Sequence, residues 1–96
     1  MPSLIARGAV GALSSIPRRL LSDTASVGPD GALSVGGCAV ADLAADFGTP
    51  LFVYDEAHLR SRCQEAVAAF GHQRVIYATK AFLCTAMARL AYDEGL

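Results

Sequence analysis

The sequence predicts an α/β chain in which helices alternate with short apolar strands, and three observations carry that expectation. First, residues 74–81 run Arg-Val-Ile-Tyr-Ala-Thr-Lys-Ala, a short stretch of β-branched and aromatic residues ending in a lysine. Such near-continuous apolar order suits a strand covered on both faces, as in a parallel sheet. Second, residues 82–94 carry a helical period directly behind it. Third, two more helical-period segments, at 40–47 and from 55 to 70, flank a four-residue apolar run at 51–54. A strand that passes into a helix is a βα unit, and the C-terminal edge of such strands is where α/β barrels place their chemistry.

Residues 1–21 contain Arg7, Arg18 and Arg19 and no acid before Asp23. The apolar stretch 8–16 is far shorter than the roughly 18 residues a membrane span needs. An arginine ahead of a short apolar run resembles a secretory leader, and an acid-free, Ser-containing stretch resembles an organellar transit peptide. The reading adopted is a disordered N-terminal extension, as chain termini commonly are. Pro17 breaks any helix running from residue 5 to 21.

Between 22 and 37 the chain is turn-rich. Gly28-Pro29-Asp30-Gly31 is a strong turn signal, and Ala32-Leu33-Ser34-Val35 alternates as an edge strand would. Gly36-Gly37 closes that strand. With no Lys-Ser/Thr beside it and no long helix behind it, the glycine pair is a turn and not a phosphate loop.

Residues 40–47 form a short helix with Val40, Leu43, Ala44 and Phe47 on one side and Asp42 and Asp46 on the other. Gly48 stands at the C-cap and Pro50 prevents continuation. After the apolar run 51–54, read as a strand, Asp55 is the N-cap of the next helix, with Glu56 favourable at its positive end. In that helix Leu59, Cys63, Val67 and Phe70 line one face with Ala66 beside it, and Glu56 and Arg60 make an i,i+4 ion pair. The last helix is expected to bury Leu83, Ala86, Met87 and Leu90 and to expose Thr85, Arg89 and Asp93. Gly95 ends it.

The residue that matters most is Lys80, the one lysine beside seven arginines. Alternation puts it on a face with Ala78 and Ile76, while Val75, Tyr77 and Thr79 face the other way. Two readings stand. A strand-end lysine can snorkel, its stem buried and its ammonium wet. A partly desolvated amine can instead lose its proton and attack a carbonyl, forming a Schiff base. Ala78 leaves room beside the amine for something flat. The preference for arginine elsewhere adds modest weight to the second reading, because a guanidinium stays protonated and cannot form an imine, and both stay open on the residues alone.

Other candidates are weaker. Cys84 with His58 or His72 would make a Cys-His nucleophile pair, but a small thiol on a helix is more often core. Both histidines read as solvated, and Asp55 and Glu56, adjacent at a helix start, read as capping residues rather than an acid/base pair. Cys38, Cys63 and Cys84 have neither disulfide nor zinc spacing and fit a reducing cytoplasm, so no metal site is expected. A net charge of −1 without a basic stripe argues against nucleic acid, and no membrane span is expected.

Tyr77-Ala78-Thr79-Lys80-Ala81, preceded by Phe47-Gly48-Thr49-Pro50-Leu51-Phe52-Val53-Tyr54-Asp55-Glu56, resembles the N-terminal part of the diaminopimelate decarboxylases. These belong to the alanine-racemase-like, fold-type III pyridoxal-phosphate enzymes. The resemblance runs from about residue 20 to 96, and the two motifs in this order make it specific. It implies that Lys80 carries pyridoxal 5′-phosphate covalently and that Ala78 lies against the cofactor. The implied fold is the N-terminal portion of a (β/α)₈ TIM barrel preceded by a short β-domain segment. On that basis 1–21 is an extension, 22–54 the β-domain-type segment with a short helix, and 55–96 the start of the barrel as helix, lysine strand and helix. The implied reaction is decarboxylation of meso-diaminopimelate to L-lysine and CO₂, in lysine biosynthesis, by a cytoplasmic homodimer acting on a small amino-acid substrate. Alternatives on the same scaffold act on ornithine, arginine, carboxynorspermidine or alanine, and a non-catalytic cofactor-binding protein is a further one.

A barrel needs about 250 residues. The 96 residues here, 53% of them apolar, have a mean hydropathy of +0.39, high for an isolated soluble domain. Several faces are therefore expected to pack against elements outside the sequence, leaving it incomplete as a fold and inactive by itself.

Overall fold

The computed structural model describes residues 16–96. The chain divides into two units, Met1–Asp55 and Glu56–Leu96. The secretory-leader and transit-peptide readings concern mainly residues 1–15 and lie outside the described residues. Part of the 1–21 stretch expected to be disordered is regular: Arg18–Leu20 form a 3₁₀ turn immediately after Pro17. The Arg18 guanidinium donates to the backbone oxygens of Ser22 and Asp23, at 2.7 Å each.

The first unit is organised around its turns. Strands β1 (Ser26–Val27), β2 (Leu33–Val35) and β3 (Cys38–Ala39) form an antiparallel sheet in the order β1-β2-β3. The turn at 28–31 is closed by Gly31 N–H donating to Gly28 O at 2.9 Å, and Asp30 Oδ1 accepts the Ala32 N–H at 3.1 Å. Those bonds set the register Val27↔Leu33. Gly36 and Gly37, with φ of 59° and 80°, form the two-residue turn that pairs Val35 with Cys38. A two-residue hairpin of this kind requires positive φ at both positions, which glycine adopts without a Cβ penalty.

β2, expected at an edge, is the central strand. β1 and β3 are two residues each, too short to show a period.

Helix α1 (Val40–Phe47) has the predicted bounds, packs on β2 and β3, and ends with Gly48 N–H on Ala44 O at 2.8 Å. Val40, Leu43 and Ala44 are half-buried, but Phe47, assigned to the same face, is 72% exposed. The buried carboxylate Asp55 completes the unit. Its Oδ2 accepts both the N–H and the Oγ1–H of Thr24, at 3.1 and 2.6 Å, and Thr24 Oγ1 in turn accepts the Gly36 N–H at 2.7 Å. One buried carboxylate thus fixes the chain before β1 and the β2–β3 turn.

Residues 51–54, expected as a strand, form none among the described residues, and all four are exposed. An apolar run becomes a strand only when a neighbour completes its ladder.

In the second unit, helices α2 (Glu56–Phe70) and α3 (Thr85–Asp93) pack on a cluster of Cys63, Met87 and Leu90, flanked by Leu59, Tyr77, Phe82 and Leu96. The expected Glu56–Arg60 pair is present at 3.0 Å, and Arg60 Nη1 also reaches Glu94 Oε2 at 2.8 Å. Glu94 Oε1 accepts from the Gln64 amide at 3.0 Å. Gln73 N–H donates to Gly95 O at 2.8 Å, tying the loop after α2 to the end of α3.

The last helix begins at Thr85 rather than at 82, which turns its buried face. Leu83 lies ahead of the helix and is exposed, Ala86 is exposed, and Ala91 takes the inward place beside Met87 and Leu90. Phe70, on the predicted apolar face of α2, is also exposed.

Candidate functional site

Residues 74–78 have no ladder partner among the described residues, so the lysine strand is not formed as a strand. The sheet that does form, β1-β2-β3, is antiparallel and lies in the other unit. The predicted alternation nevertheless survives. Val75 and Tyr77 are half-buried, whereas Ile76, at 92% exposure, and Ala78 are exposed. An extended backbone sends successive side chains to opposite sides, and here one side meets the unit's own core and the other meets solvent.

Lys80 lies in the turn that follows. Ala81 N–H donates to Ala78 O at 3.2 Å, closing residues 78–81, and Lys80 is exposed. Across the turn, the Tyr77 hydroxyl donates to the Phe82 carbonyl oxygen. Both rings pack on the Cys63–Met87–Leu90 cluster. The amine is therefore carried on a four-residue loop whose two ends are anchored in one core. Cys84 follows as the residue before α3, exposed, with its carbonyl accepting the Ala88 N–H at 2.9 Å. The sequence placed Tyr77 only on the face opposite Lys80 and gave it no role.

An open groove of about 450 Å³ in the second unit is lined by Val75, Ile76, Tyr77, Leu83, Ala91 and Tyr92 among others. Neither Lys80 nor Ala78 lies on its walls, although Thr79 between them does. Burial first, and the nearby Glu94 charge second, push the Cys63 thiol up from its ordinary range, which makes it an inert core group. Among the described residues no His, Cys, Asp and Glu group is arranged to hold a metal ion, and no helix is long and apolar enough to cross a membrane.

The residues at the turn fit the attachment of an aldehyde cofactor. Lys80 offers a solvent-open primary amine, and the other side chains of its turn, Ala78, Thr79 and Ala81, are small and exposed.

No family profile matches the chain. Curated relatives do. A diaminopimelate decarboxylase of Mycobacterium leprae is 47% identical over 81 residues, which is 83% of this chain and 16% of the relative. One from Corynebacterium efficiens is 50% identical over 68 residues, 70% of this chain and 15% of the relative. One from Synechocystis is 40% identical over 84 residues, 82% of this chain and 18% of the relative. The chain thus spans under one-fifth of the length of each of these relatives.

Proposed function

Since the chain belongs to the diaminopimelate decarboxylase family over the stretch it shares with those relatives, we propose that it forms part of a pyridoxal-phosphate carboxy-lyase that converts meso-diaminopimelate to L-lysine and CO₂. The observation that carries this reading is the single lysine of the sequence, exposed on the turn Ala78-Thr79-Lys80-Ala81. Lys80 is the residue that holds the cofactor, through Nζ, and Ala78 leaves space for its ring. Pyridoxal phosphate supplies an electron sink for the charge left when a carboxylate departs as CO₂.

What the chain itself contributes is placement. The turn at 78–81 holds the amine, the apolar face of Tyr77 and Phe82 keeps the turn on its core, and the free amine can take up and return a proton at Nζ. The full enzyme is read as a cytoplasmic homodimer built on a (β/α)₈ barrel, with 55–96 as its start. Three free thiols support the reducing compartment. The exposed apolar residues Ile76, Leu83 and Tyr92 support a fold in which further elements cover this unit.

The test is chemical. Intact protein incubated with pyridoxal phosphate, reduced with borohydride and mapped by peptide should carry the label on Lys80. Lys80→Ala should lose both the label and CO₂ release from meso-diaminopimelate. Label on another residue, or full activity in the variant, would remove the reading.

A further inference from the structure

We infer that Tyr77 is a positioning residue for Lys80, acting through a phenol-to-carbonyl clasp that sets the shape of the cofactor-bearing turn; this rests on the role proposed for Lys80. Three observations meet at this residue. Its hydroxyl donates to the Phe82 carbonyl oxygen, bridging from one end of the turn to the other. Its ring and that of Phe82 pack on the same cluster of Cys63, Met87 and Leu90. Inside the bridge the turn carries one backbone hydrogen bond of its own, Ala81 N–H to Ala78 O at 3.2 Å, and Ala78, Thr79, Lys80 and Ala81 are all exposed.

A four-residue loop with one long internal bond and no buried side chain has little to hold a single backbone shape. The clasp supplies what is missing by fixing both ends against a core. A long lysine side chain magnifies any change in its backbone, so a loosened turn spreads Nζ over more positions and weakens capture of a cofactor that has to be met at one of them. The hydroxyl, rather than the ring, is the part assigned this task, because the ring alone would suffice for packing.

Tyr77→Phe in the intact protein separates the two. Borohydride trapping of pyridoxal phosphate at Lys80 is measured against cofactor concentration, with a thermal melt and with reductive methylation by formaldehyde as a measure of bare amine accessibility. Loss of one neutral hydrogen bond predicts a half-trapping concentration raised about fivefold, a melting temperature close to that of the unaltered protein and unchanged methylation. Trapping equal to that of the unaltered protein, with the fold intact, would overturn the assignment. Should Tyr77→Phe melt well below the unaltered protein, Met87→Ala provides the control, since it loosens the core under both rings while keeping the Tyr77 hydroxyl and the Phe82 carbonyl. Poorer trapping by Tyr77→Phe than by Met87→Ala at matched distance from their melts supports the clasp, and equal trapping rejects it. Failure of the unaltered protein to label at Lys80 is seen in the first arm. It refutes the proposed function directly, and the assignment of Tyr77 with it.

Discussion

Residues up to Asp55 and those from Glu56 onward are ordered by different kinds of interaction. Among the described residues of the first unit the buried apolar side chain is Ala25, and the fixed points are polar: two turns, and the Asp55 carboxylate holding Thr24 while Thr24 holds Gly36. In the second unit the fixed points are apolar, with Cys63, Met87, Leu90 and Ala91 buried and two aromatic rings leaning on them. The difference bears on function. On the proposed function a lysine has to be held at one place while staying open to solvent, and Lys80 is mounted by a short loop on an apolar cluster. The first unit presents no such mounting among its described residues.

The contrast is tested most strongly at Met87. Truncation to alanine removes a side chain at the centre of a small cluster and should cost about 3 kcal/mol. The loss should be read in urea melts, with accelerated amide exchange concentrated in α2 and α3. A cost below about 1 kcal/mol would mean that the cluster is too loosely packed to anchor the turn.

The polar counterpart is Asp55. Asp55→Ala leaves the Thr24 N–H and hydroxyl without their acceptor and should cost about 2 kcal/mol, in the range found for hydrogen bonds to charged groups. Amide exchange at Thr24 and Gly36 should quicken most, because those two N–H groups lie in the chain of bonds that Asp55 begins. Unchanged exchange at both would show that the β-turns hold the sheet without the carboxylate.

The same contrast explains what could be read from the sequence. The turns at 28–31 and 36–37 and the bounds Val40–Phe47 follow from residues within a few positions of one another, so they were legible. Residues 51–54 and 74–81 were read as strands on composition, but a strand also needs a partner, and none is supplied among the described residues. The alternation of 75–77 was legible because it is local to the backbone, but which side faces inward was not, since the strand was read as covered on both faces. Tyr77's bond to Phe82 was not, because it depends on the chain folding back over the lysine turn. Leu83 and Ala86 were misassigned for a related reason: with helix α3 starting three residues later than its period suggests, the face that meets Cys63 rotates toward Ala91.

The smallest effect is expected at the ion pairs bordering the apolar cluster, and its pH dependence is its signature. The hydrogen bond from Arg60 first, and that from the Gln64 amide second, hold the Glu94 carboxyl below its ordinary value of 4.5. The folded chain therefore binds fewer protons at this site than the unfolded chain in the interval between the two values. The stabilisation from Glu94 is fully present above about pH 4.5 and is lost as pH falls through the lower, folded value. Glu94→Gln should be slightly less stable than the unaltered protein at pH 7, with the gap closing in acid, and should flatten the stability curve across that interval. High salt should narrow the gap at pH 7, since these pairs are partly open to solvent. A constant gap from pH 7 down to pH 3 would show that the variant loses something other than the carboxylate's charge, and the second unit would then owe its order to its uncharged contacts.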